Sequence, residues 1–199
     1  MQSWIKYATP ERQEEVLQSL IKAWDEIVAP NVVDACCVLA GRVATEALRY
    51  MDIRHLVVPI DALAFNSAAF DLIGEVPADE WGDSEAWSVG AMTTDLEANW
   101  SGHVVVVTDD WFLDLSANQF NRFNHSIVLP NRMLVKREHF TAWQKFNNRL
   151  LYTFIDGTYY CWQPTHDERF RNSYDWRDGY RRFSGRVIRS MKESLRHPR

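Results

Sequence analysis

The sequence has few cysteines, no long apolar run and no internal repeat, and each shortage narrows what the chain can be. Only Cys36, Cys37 and Cys161 occur. Adjacent cysteines rarely bridge each other and an odd count makes no disulfide framework, so a reducing, cytoplasmic setting is expected. No stretch approaches the ~18 apolar residues a membrane helix needs, and the start, MQSWIKYATPERQEE, turns polar at once, unlike a secretory signal. His125, His139 and His166 show no metal-ligand spacing. GRVAT lacks the second glycine of a phosphate loop. Neither metal nor cofactor is expected, nor is a membrane, and no nucleic-acid signature appears beyond a basic tail.

What is present is an ordinary globular composition. The 199 residues fit a single domain over 1–199, long enough to bury a sizeable core. Nine tryptophans are many for this length and point to core or pocket walls. The net charge of -5 is uneven: residues 169–199 hold ten Lys/Arg and three Asp/Glu, while residues 71–97 hold eight acids and no Lys or Arg. The basic tail has two readings, contact with nucleic acid or membrane, or packing beside the chain's own acidic stretch. The acidic total favours the second.

Periodicity predicts α+β organisation. Val16, Leu17, Leu20, Ile21, Trp24 and Val28 recur at helical spacing from Pro10 to about Val28, before Pro30. A second helix with the stripe Ala40, Val43, Ala44, Ala47, Leu48 and Met51 runs to about Met51, capped by either Asn31 or Asp34. HLVVPIDALAF reads as a strand, with Pro59 hinting at an edge or bulge. Residues 71–99 lack clear periodicity and read as a loop or lid, short elements within it aside. HVVVV and WFLDL read as a hairpin, LLYTFID and TYYCWQ as a second pair about Gly157, and residues 176–195 as a C-terminal helix.

Two features carry chemistry. Cysteine nucleophiles react as thiolates, and a helix N-terminus favours the negative charge. Cys36 and Cys37 both sit near such a terminus, and helical phase does not separate them; a cysteine before an alanine-rich helix also serves simply as a small core residue. In the hairpin, a two-residue turn at Thr108-Asp109 sets His103 directly opposite Asp114. A three-residue loop without a bulge sends Asp114 to the other face. An imidazole beside a carboxylate has a fixed tautomer, and its free nitrogen can take a thiol proton. The expected geometry is a sulfur within about 4 Å of one His103 nitrogen, with the other nitrogen about 3 Å from Asp114.

A cysteine opening a helix, then a strand with histidine, then a neighbouring strand with aspartate resembles transglutaminase-like members of the papain-like superfamily. CVLAGRVATEALRYMDIRHLVV is similar to the superfamily's cysteine-helix-strand segment, and SGHVVVVTDDWFLDLS to its histidine and aspartate strands. An LDLSANQF-like extension also resembles small actinobacterial and phage proteins. The likeness spans about residues 34–120. Ungapped alignment on Leu48-Arg49 and Ile53 implies Cys37 as the nucleophile, with His103 as base and Asp114 as its orienting acid. It sets Asp52 where glycine is usual, and the family's aromatic or acidic residues just after the cysteine are absent. The implied fold is a cysteine-bearing helix on an antiparallel sheet that carries His and Asp. The implied activity is acyl transfer or amide hydrolysis on a peptide, protein or small amine or amide substrate. The alternative is an inactive fold serving as a binding protein.

Four further residues are candidates for support or cleft lining. Gln119 is a second donor near the site or a turn side chain. Asn66 is a cleft residue or a turn cap. Trp100 and Trp111 bracket the hairpin as pocket walls or as core. A backbone N–H at Cys37 is the usual kind of oxyanion donor at such a helix start. Oligomeric state has no signature in the sequence.

Overall fold

The computed structural model describes residues 9–32, 36–70, 72–73, 86–89, 94–95, 100–121, 127–144, 147 and 149–196. It is α+β, a curled antiparallel sheet with helices against it.

Helix α1 is Pro10–Ile27. Thr9 caps it, accepting from the Arg12 N–H at 3.3 Å, and Pro10 starts it. Its stripe of Val16, Leu17, Leu20, Ala23 and Trp24 is fully buried, and each large apolar side chain there contributes roughly 1.5–3 kcal/mol. Pro30 falls in a 3-10 turn, Ala29–Asn31, just beyond the helix. Helix α2, Cys37–Tyr50, starts directly at a cysteine, with Cys36 at the cap position. Asn31 is therefore not its cap; its amide donates to the Ile27 carbonyl at 2.9 Å instead. Asp34 lies outside the described residues.

The end of α2 depends on Asp52. This residue has φ of 57°, the left-handed conformation that glycine usually supplies. The Ile53 N–H reaches Leu48 O at 2.9 Å and the Asp52 N–H reaches Arg49 O at 3.2 Å. These two bonds close a Schellman motif with Ile53 buried beside Leu48 in the same apolar cluster. The turn survives without glycine because aspartate tolerates this conformation better than most residues.

Strand β1, His55–Asn66, is the axis of the sheet. Strands β2 (Ala86–Val89), β5 (His103–Thr108), β6 (Trp111–Asp114), β7 (Met133–Lys136), β8 (Thr141–Ala142), β9 (Leu151–Ile155) and β10 (Thr158–Pro164) complete it. Their order is β7-β6-β5-β1-β10-β9-β8, with β2 also beside β1. Strands β3 (Thr94–Asp95) and β4 (Trp100–Ser101) pair separately. Pro59 thus lies in a central strand and not at an edge. Its carbonyl takes the Thr165 N–H at 2.8 Å on the β10 side, so its missing N–H points that way and the β5 ladder loses no bond. The segment read as a loop or lid contains β2 and β3; its remaining residues, apart from 72–73, are outside the described set. The β9–β10 hairpin turns at Asp156 and Gly157, with φ of 48° and 87°, a type I′ turn.

The sheet has two packed faces. Val106, Leu113 and Leu115 face α1, α2 and helix α4 (Arg181–Arg196), which contributes Phe183, Val187 and Met191. A π-helical turn, Asp175–Gly179, leads into α4 where a regular helix is expected from residue 176. The inner face of the curl holds Ile60, Ala62, Ala64, Val105, Phe112, Phe120, Tyr160 and Trp162. Gly41 lets α2 lie close on β5: a Cβ there meets Val104 Cγ1 at 2.6 Å. That close approach fixes the first turn of α2, one turn earlier, at the end of the sheet where His103 begins β5.

Candidate active site

The β5–β6 hairpin positions the histidine and the aspartate, though not in the register expected. Its two-residue turn is Asp109-Asp110, with Val106 opposite Leu113 and Val107 opposite Phe112. Asp110 is held by the Gln13 amide of α1 at 2.9 Å. Continuing this register sets Asp114 beside Val105, so His103 stands diagonal to Asp114 and not directly across. Moving a two-residue turn by one position shifts the pairing by two and keeps every side chain on its face. His103 and Asp114 therefore still share the inner face, and their side chains meet: His103 Nε2 lies 2.7 Å from Asp114 Oδ2. Both residues are fully buried.

Asp114 is fixed by a complete set of donors. The Ser116 N–H donates to Oδ1 at 2.9 Å and the Ser116 hydroxyl at 3.3 Å. The Tyr160 hydroxyl donates to Oδ2 at 3.1 Å. A buried carboxylate is tolerated only when its oxygens are so paired. Neither helper belongs to the sequence-derived site. Ser116 has a local signal, because Asp-Leu-Ser can close an Asx-turn onto the residue two places on. Tyr160 has none. Strands β10 and β6 are three spacings apart, about 14 Å across a flat sheet and beyond a tyrosine's reach. The curl brings them together, and the small residues Ala62 and Ala64 of β1 face Trp162 and Tyr160 across the ladder.

The second His103 nitrogen, Nδ1, touches the Gln119 side-chain amide, which is also 3.3 Å from Nε2. Gln119 sits on the buried 3-10 turn Ala117–Phe120, so it belongs to the site and is no surface side chain. Phe120 adds its ring edge-on to His103 at 5.6 Å between centroids.

Cys37 stands at the first position of α2, 5% exposed. Cys37 is near enough to the His103 ring to favour its protonated form. Burial lowers the pKa of that ring, but the Asp114 charge and hydrogen bond, with the Cys37 contributions, outweigh it and push it up to about 10. The imidazolium is therefore the favoured form at neutral pH. Burial, and then the neighbouring Cys37, push Cys36 up to about 11. Burial alone pushes Cys161 up further still. Both remain protonated at neutral pH.

Trp100, Phe170 and Trp176 pack around Cys37 and Val38. The Trp100 indole donates to the Asp167 carbonyl at 3.1 Å, which fixes this wall. Trp111 lies at the other end of the hairpin, in the core under the helices, its indole near the Pro10 carbonyl at 3.4 Å. It packs in the core and also lines a cavity of about 380 Å³ on that side of the hairpin, away from His103. Asn66 accepts from the Ala69 N–H at 3.1 Å and so caps the short helix α3, Ser67–Phe70, in the turn-cap role. Among the described residues no group of His, Cys, Asp and Glu is arranged to hold a metal, and no helix is long and apolar enough to cross a membrane. His125 and the acidic side chains of residues 71–97 lie outside the described set.

No family model, curated protein or solved structure matches the chain. The functional reading rests on the geometry of the site.

Proposed function

We propose that the chain is a thiol-dependent acyl enzyme of the transglutaminase-like, papain-like kind, with Cys37 as nucleophile, His103 as acid-base group and Asp114 as its orienting carboxylate. The observation that carries this reading is the fully buried His103–Asp114 pair, with Cys37 at the first position of α2 near enough to favour the protonated ring. Asp114 holds Nε2, so the proton exchanged with the thiol is carried on Nδ1, which the Gln119 amide contacts and shares with the sulfur. The Gln119 amide suits both protonation states, since a half-rotation presents nitrogen to the neutral ring and oxygen to the imidazolium.

In the reaction the Cys37 sulfur attacks an amide or ester carbonyl, and the imidazolium gives its proton to the leaving group as the C–N or C–O bond breaks. A thioester remains on Cys37. Water then attacks it, His103 takes the water proton, and the acid is released with the thiol restored; an amine in place of water gives transfer. The first helical hydrogen bond of α2 runs from Ala40 N–H to Cys36 O at 2.8 Å. The N–H groups of Cys37 and Val38 precede it, have no acceptor within the helix, and are the candidate donors to the developing oxyanion. Amide hydrolysis is the simplest outcome. The acids of residues 71–97 favour a cationic or amine-bearing substrate.

One observation favours the second reading, a fold retained for binding. His103 is wholly enclosed and Cys37 is 5% exposed behind Trp100, Phe170 and Trp176. Two cavities, of about 380 and 240 Å³, lie elsewhere on the described residues. Incubation with 4-nitrophenyl acetate separates the two readings. The enzyme releases a burst of nitrophenolate, and peptide mapping finds the acetyl group on Cys37. Absence of both in wild type, or an equal burst in Cys37→Ala, contradicts the enzyme reading.

A further inference from the structure

The basic C-terminal segment acquires a specific shape on folding. Helix α4 turns Phe183, Val187 and Met191 into the core. At 100° per residue, Arg182, Arg186, Arg189 and Arg196 fall within about 80° of one another on the opposite side. All four are exposed. They form a straight row about 21 Å long at 1.5 Å per residue. Glu193 is the one acid in the row. Neighbouring charges on this segment are tied down: Arg181 pairs with Asp178 at 3.5 Å and Lys192 donates to the Tyr50 hydroxyl at 2.8 Å. Among the described residues, none of the four row arginines lies in an ion pair.

We propose that this arginine row is a docking surface for the phosphate backbone of duplex nucleic acid, read without regard to sequence. Arginine presents a planar fork that pairs bidentately with phosphate oxygens. A rigid row on a helix face meets a rigid, evenly charged polyanion with little entropic cost. The remainder of the chain carries the excess of acid, so the contact is confined to this face and oriented by it. A bilayer fits less well: α4 has spent its apolar residues on the core and has no hydrophobic face left to embed. The surface is independent of the thiol site.

The test uses the full chain and a fluorescein-labelled 20-base-pair DNA duplex of mixed sequence, with anisotropy read between 25 and 200 mM salt. Four phosphate contacts give a slope of log K against log salt of roughly -3.6, at about -0.9 per contact. Replacing Arg182, Arg186 and Arg189 together with glutamine reduces that slope to about -1 and weakens binding at least tenfold at 25 mM salt. These side chains are exposed, so unchanged circular dichroism and melting show that the variant is folded. The expected vesicle result is no binding to phosphatidylserine–phosphatidylcholine membranes at the same salt. The proposal is overturned by no duplex binding at 25 mM salt, by a slope unchanged in the triple variant, or by binding to vesicles and not to duplex. Wild-type stability that falls with salt while duplex binding is absent assigns the row to an acidic partner within the chain, and overturns it equally.

Discussion

His103 Nε2 and Asp114 Oδ2 are 2.7 Å apart on the inner face of the sheet, though the two residues are diagonal and not opposite in the β5–β6 ladder. Everything else in the site is arranged about this pair. Ser116 and Tyr160 complete the carboxylate, Gln119 contacts the ring, and α2 is held at its place by the close fit of Gly41 on Val104.

Removing the carboxylate leaves a buried ring and three donors without a partner. Asp114→Ala is expected to lower stability by about 3–5 kcal/mol, the range for breaking a buried pair from one side. Asp114→Asn is expected to cost less, because Ser116 and Tyr160 still find an amide oxygen, but to slow Cys37 acylation at least tenfold through loss of the fixed tautomer. Urea melts and the nitrophenolate burst measure the two effects. An Asn variant that acylates at the wild-type rate argues against an orienting role for Asp114.

The pH dependence of stability follows from His103. Its ring is raised from 6.5 to about 10 in the folded protein: burial opposes the shift, while the Asp114 charge and hydrogen bond, with Cys37, prevail. Because the folded value exceeds the unfolded one, the contribution is fully present below pH 6.5 and is lost as pH rises through about 10. Wild type is therefore expected to lose stability from pH 7 to pH 10 relative to His103→Gln. A difference that grows with pH contradicts the imidazolium assignment.

Tyr160 supports Asp114 with one hydrogen bond to a charged group, worth about 1.5–3 kcal/mol. Burial first, and the Asp114 charge second, hold its ionisation well above the usual tyrosine value, so it remains a donor through the accessible pH range. Tyr160→Phe is expected to lose that much stability in urea titrations with an unchanged m-value. A loss under 0.5 kcal/mol means that the hydroxyl does not support the carboxylate.

The end of α2 offers a gain. Asp52 adopts φ of 57° in a Schellman turn. Asp52→Gly removes the Cβ from a left-handed position and is expected to raise stability by about 0.5–1 kcal/mol, net of the extra freedom of the unfolded chain. A lower melting temperature implies that the Asp52 side chain contributes more than its backbone strain costs.

Much of this was legible in the sequence because the signals are local. Helical spacing marks α1 and α2, Gly157 marks the β9–β10 turn, and the polar TDD between the apolar runs HVVVV and WFLDL marks the hairpin. The face shared by His103 and Asp114 was legible too, since parity depends on the length of the turn and not on its position. The position itself was not: TDD offers two adjacent dipeptides, and the choice between them involves a tertiary bond, Gln13 to Asp110. Pro59 misleads because the direction of a missing N–H depends on which neighbour each half of β1 pairs with. Tyr160 was invisible because it meets Asp114 only through the curl of the sheet. Gln119 was visible as a residue but ambiguous as a partner, since a 3-10 turn buried under β5 has no periodic signature.

The central claim is that Cys37 is the activated thiol and depends on His103. Limiting iodoacetamide at pH 6–7, followed by peptide mapping, tests it most directly. The account predicts alkylation of Cys37 ahead of Cys36 and Cys161 and faster than a free model thiol, with the advantage lost in a folded His103→Gln variant. Labelling of Cys37 no faster than the model thiol, or unchanged by His103→Gln, contradicts it.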